Sequence, residues 1–105
     1  MRIYLDDIRF PSKGEGVTIV RDYNDFVFTW IHNKQNIISI SFDHDLGTGK
    51  TGYDAICIVE ADYHLDLISH DIELNCHSAN TSGADKIRQA IDSIHKFREG
   101  RHNDE

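Results

Sequence analysis

A chain of 105 residues with 39% hydrophobic content suits one compact domain, long enough to bury a core without disulfide or metal staples. Its formal charge of −7 argues against broad electrostatic capture of nucleic acid or an anionic membrane. A small phosphorylated ligand stays open, because a bound metal reverses the local sign. Cys57 and Cys76 each lie in an apolar run and read as buried thiols of a reducing compartment. No apolar stretch is long enough to span a bilayer and the N-terminus lacks a signal-peptide pattern, so the expected location is the cytoplasm.

Met1-Arg2-Ile3-Tyr4-Leu5 reads as a short strand that runs into the acidic pair Asp6-Asp7. Pro11 and Ser12-Lys13-Gly14-Glu15-Gly16 make a loop. Val17-Thr18-Ile19-Val20 is β-branched throughout and reads as the second strand. The eleven residues between these strands are at the lower limit for a helical crossover, so an irregular connection is expected. Asp22 is a candidate N-cap, and Tyr23, Phe26, Val27, Trp30 and Ile31 follow at helical spacing. Asn33 to Asn36 closes that helix, and Ile37–Phe42 reads as a buried strand. A second helix is expected from about Thr51 to Tyr63, while 64–71 is unreadable as helix or loop. Ile72–Cys76 alternates as a half-buried strand. Thr81 or Ser82 caps a third helix with Ala84, Ile87, Ala90, Ile91, Ile94 and Phe97 on one face. Gly100 fits its stop, leaving 1–100 as the domain and 101–105 as a flexible tail.

Strands alternating with helices imply a parallel sheet of about four strands with right-handed crossovers. Three strand ends then carry polar clusters on one edge: Asp6-Asp7, Asp43-His44-Asp45 and His77-Ser78. Ligands of open α/β sheets bind at that edge. Asp6, Asp7, Asp43 and Asp45 offer hard oxygen ligands to Mg²⁺, with Mn²⁺ as the second choice. As a solvated edge, the same carboxylates would merely cap helices. His44 and His77 are candidates for acid–base work, since an unperturbed imidazole titrates near neutrality. The other five histidines read as surface residues. Gly47-Thr48-Gly49-Lys50-Thr51 imitates the end of a phosphate-binding P-loop, but His44 stands where its first glycine belongs. Lys50 and Arg9 remain candidates for an anion at the strand ends.

With these residues placed, the chain resembles a response-regulator receiver domain. Asp6-Asp7 looks like the receiver's metal-binding pair, Asp43 like its phospho-acceptor, and Ser78-Ala79 like its phosphoryl contact. No fifth strand with a Lys-Pro pair is read after the last helix, which argues against an aspartyl-phosphate switch. Leu5-Asp6-Asp7-Ile8-Arg9-Phe10-Pro11, Phe42-Asp43-His44-Asp45-Leu46-Gly47 with Thr51-Gly52-Tyr53-Asp54, and His77-Ser78-Ala79-Asn80 together resemble the cyclic-phosphate processing receiver-like domain. That resemblance implies a small receiver-like (flavodoxin-like) α/β three-layer sandwich. It also implies a metal-dependent phosphoesterase acting on cyclic phosphates of nucleotides or RNA ends. Asp6, Asp7, Asp43 and Asp45 would hold the metal; Asp43, His44 and His77 would be catalytic; Ser78, Arg9 and Lys50 would bind substrate. The competing expectation is a non-catalytic receiver-like module that binds a protein or nucleotide partner.

Overall fold

The computed structural model describes residues 1–11, 16–47 and 49–103. Strands β1 (Arg2–Leu5), β2 (Val17–Val20), β3 (Ser39–Phe42) and β4 (Glu73–Cys76) form one parallel sheet in the order β2-β1-β3-β4. Helix α1 (Tyr23–Asn33), followed by a 3₁₀ turn at Lys34–Asn36, joins β2 to β3; α2 (Gly52–His64) joins β3 to β4. Helix α3 (Thr81–Asn103) follows β4. This is the expected receiver-like α/β order.

Each element forms where its sequence pattern places it. The Asp22 carboxylate accepts from the Asp25 N–H at 2.8 Å, capping α1 as expected. The cap of α3 is not Thr81 or Ser82 but Asn80, whose Oδ1 accepts from Gly83 N–H at 3.0 Å. Asn is as good a cap as Ser or Thr, so composition alone could not choose. Helix α3 runs past Gly100 to Asn103, because one glycine costs a helix only about 1 kcal/mol. Residues 104–105 of the expected tail lie outside the described residues. The unreadable stretch begins as the end of α2, with Asp66 in the left-handed region (φ 59°) turning the chain.

One apolar core fills the space between sheet and helices. Ile3, Leu5, Val20, Ile40, Phe42 and Leu74 project from the sheet onto Phe26 and Trp30 of α1, Ile56, Val59 and Tyr63 of α2, and Ile87 and Ile94 of α3. Helix α2 packs against α1 on one side and α3 on the other. Trp30 Nε1 donates to Asp62 Oδ2 at 2.7 Å, and Arg98 Nε donates to the Tyr63 hydroxyl at 2.7 Å, tying the three helices together. Right-handed crossovers that advance in one direction put both connecting helices on the same side. The described helices thus make one layer. The opposite face carries Arg2, Tyr4, Val17, Ile19, Ser39, Ser41, Glu73 and Asn75, none of them buried. Cys57 and Cys76 are free thiols, half-buried rather than buried, and Cys76 packs against the core.

Candidate functional site

The strand register builds the site. Leu5 pairs with Val20 on one side and Phe42 on the other, and Phe42 pairs with Cys76. One residue further on, the row across the sheet reads Arg21, Asp6, Asp43, His77. Ladder bonds continue into this row: Asp6 N–H donates to Val20 O, Asp43 N–H to Leu5 O and His77 N–H to Phe42 O, at 2.9–3.0 Å. Side chains at equal register share a face, and this row falls on the face that no described helix covers.

Asp6, Asp43 and His77 each place a ligand atom within 4.8 Å of the others. Asp6 is fully buried and Asp43 nearly so, at 0% and 5% exposure. Asp6 Oδ1 accepts from the backbone N–H groups of Ile8 (3.0 Å) and Arg9 (2.8 Å), curling the chain into a tight turn. Asp6 Oδ2 accepts from Arg9 Nε and bonds His77 Nε2, both at 3.0 Å. The half-exposed Arg9 also reaches Asp43 Oδ1 at 3.5 Å, so one guanidinium spans both carboxylates. Arg21 Nη1 donates to the carbonyls of Asp6 (3.1 Å) and Arg9 (2.9 Å), fixing the turn from β2. The His77 ring stacks on Tyr4 with centroids 4.1 Å apart, and its Nδ1 meets Ser41 Oγ at 2.7 Å.

Burial works to raise the Asp6 pKa. The Arg9 and Ile8 N–H groups, the His77 bond and the Arg9 charge outweigh it, leaving the carboxyl below its ordinary value. The ionised form is thus favoured by the fold. Its stabilisation is present above the unfolded pKa of about 3.9 and fades as pH falls through the lower native value. Asp6→Asn should therefore lower stability at pH 7 by about 1.5–3 kcal/mol, the range for hydrogen bonds to a charged group. In metal-free urea titrations the gap between variant and native protein should close towards pH 3. A gap constant across that range would refute the linkage.

Not every expected residue joins the group. Asp7 and Asp45 stand outside it. Asp7 lies in the bend that the Asp6 side chain closes with the Ile8 and Arg9 N–H groups, off the end of β1. Asp45 turns away instead: its Oδ1 bonds His44 Nδ1 at 2.9 Å, and both its oxygens accept from Asn80 Nδ2 at 3.2 and 3.3 Å. Bonds from His44 and Asn80 hold the Asp45 carboxyl below its usual pKa. His44 is likewise outside the group, its ring laid against the start of α3. A Cβ at Gly83 would overlap that ring, so the glycine is there for the histidine. Ser78 Oγ accepts from Asn80 N–H at 3.1 Å, bracing the loop before α3. Lys50 sits over the Tyr23 ring at 5.7 Å, on the α1 side, and makes no described contact with the carboxylates. A cleft of about 450 Å³ between α2 and α3, lined by Tyr53, Glu60, Lys86, Gln89, Ala90 and Ser93, shares no residue with the group.

Tyr4, Ser41 and Arg21 were missed in the sequence. The signal for the first two was parity: each stands two residues before a site carboxylate on its own strand. For Arg21 it was position, one residue beyond a strand end, like Asp6.

Residues 1–93 match the family model of the cyclic-phosphate processing receiver domain. No curated protein matches the chain, and no solved structure does. No helix of the described residues is long and apolar enough to cross a membrane.

Proposed function

The chain belongs to the cyclic-phosphate processing receiver domain family, and we propose that it opens cyclic phosphates of nucleotides or RNA ends at the Asp6–Asp43–His77–Arg9 group. The observation that carries this reading is the convergence of two carboxylates and an imidazole within 4.8 Å at the carboxyl edge of the sheet. The donor chemistry fits a divalent cation: Asp6 and Asp43 are hard oxygen ligands suited to Mg²⁺, with Mn²⁺ second. When bound, the cation supplies charge neutralisation at the phosphoryl oxygens and a lower pKa for water.

The remaining steps belong to side chains. Arg9, half-exposed and already spanning the two acids, offers N–H donors to the non-bridging phosphate oxygens in the manner suited to a guanidinium. His77 is oriented from both nitrogens, by Asp6 and by Ser41, and from its face by Tyr4. Its Nε2–H stays on Asp6, so the water that adds to phosphorus gives its proton to Ser41 Oγ while the Ser41 hydroxyl proton moves to Nδ1. The ring P–O bond breaks, and the imidazolium, steadied by Asp6, returns a proton to the freed sugar oxygen. The product is a phosphate monoester with a free hydroxyl. His77, inside the group, suits this work better than His44, which lies against the start of α3.

A second reading is binding without turnover. Arg9 already balances both acids and both His77 nitrogens are engaged, an arrangement sufficient for an anion site. Two measurements separate these readings. Hydrolysis of a 2′,3′-cyclic nucleotide in the presence of divalent metal supports the enzyme; binding with no product across Mg²⁺ and Mn²⁺ supports the module. Millimolar Mg²⁺ or Mn²⁺ should also raise Tm, since a ligand of the native state stabilises it by mass action. Asp43→Asn should blunt the rise. An equal rise in that variant would move the cation elsewhere.

A further inference from the structure

Arg9 lies between two conspicuously exposed apolar residues, Ile8 at 76% and Phe10 at 70% exposure. Phe10 is not a loose side chain. The guanidinium of Arg21 lies 4.5 Å from its ring centroid, and the same guanidinium is fixed by two bonds to the carbonyls of Asp6 and Arg9. One ring face is thus held on a cation that is itself locked to the site's turn, while the ring stays largely open to solvent. A held, outward aromatic surface is what a flat π-system needs, because little ordering entropy remains to be lost on stacking.

We infer that Phe10 is a stacking platform for the base of a nucleoside cyclic phosphate whose phosphate is held by Arg9. The inference rests on the functional reading above and names the side chain that would hold the base of such a substrate. Arg21 links the two residues: the guanidinium that carries the Phe10 ring also donates to the Arg9 carbonyl, so ring and Arg9 are anchored on one turn. In a nucleotide one ribose joins base to phosphate. Arg21 behind the ring adds to the attraction, since guanidinium, phenyl ring and base can form a stack. Stacking tolerates any base, so this platform selects for a nucleoside without selecting which one.

Calorimetric titration of the whole chain in Mg²⁺ with 2′,3′-cyclic AMP and with glycerol 1,2-cyclic phosphate, which lacks a base, tests this. The nucleotide should bind more tightly, and Phe10→Ala should weaken it roughly 5- to 150-fold while leaving the base-free probe unchanged. Phe10→Trp should retain nucleotide affinity. Thermal melts should show Phe10→Ala folded like the native protein, as expected for an exposed side chain. Equal binding of both probes, or nucleotide affinity unmoved by Phe10→Ala, overturns the inference alone and leaves the ring as a protein contact. Weakening of both probes together also overturns it, since the ring would then be bracing Arg9. Binding of neither probe overturns the functional reading and this inference with it.

Discussion

His77→Ala should lower hydrolysis of a 2′,3′-cyclic nucleotide by about 10²–10⁴-fold, the usual contribution of a positioned acid–base group, while ligand affinity changes much less. The expectation follows from the three contacts that fix the ring, to Asp6, Ser41 and Tyr4. His77→Gln provides the control. Its amide keeps a donor for Asp6 but neither takes up nor releases a proton at neutral pH, so it should be as inactive as the alanine variant and better folded. Single-turnover rates and calorimetric affinities measured side by side decide the matter. Native rates in His77→Gln would remove the imidazole from the chemistry.

Gly52→Ala should be the most disruptive alanine substitution among the described glycines. The start of α2 passes so close to β3 that a Cβ here would overlap the backbone carbonyl of Asp43, and Gly52 N–H donates to His44 O at 2.8 Å. Backbone cannot rotate away as a side chain can. Either α2 retreats or Asp43 shifts, at a cost of about 1–3 kcal/mol or more. For a domain of this size, each 1 kcal/mol lowers Tm by roughly 4–8 °C. The variant should also lose any metal-induced rise in Tm, because the displaced group is a proposed ligand. Glycine is needed here for close approach; Gly47 and Gly49, by contrast, adopt φ of 83° and 89° and turn the loop.

Strands and helices were legible because their patterns are local. Val17–Val20 could be little else than a strand, and Tyr23, Phe26 and Trp30 could share a face only in a helix. Asp6, Asp43 and His77 were legible because each directly follows such an apolar run. Adjacency in the acidic doublet and triplet is not convergence in space. Asp7 lies in the bend after β1, and Asp45 sits beyond the last strand residue, where Asn80 and His44 bond it. The partner choices of Asn80, Arg21 and Tyr4 depend on long-range packing. No local pattern contains them.

The register row has a consequence for how this domain tolerates length changes. Its reactive groups are counted from the sheet: each is the first residue past the last paired position of its strand. Insertions past Phe10 in the run between β1 and β2 leave that count intact, so this connection has freedom to lengthen. A single residue added or removed inside β3 is a different event. It turns Asp43 towards the helices and brings a core side chain out in its place. The sheet thus works as a ruler, and the site tolerates variation downstream of its mark but not within the ruled part.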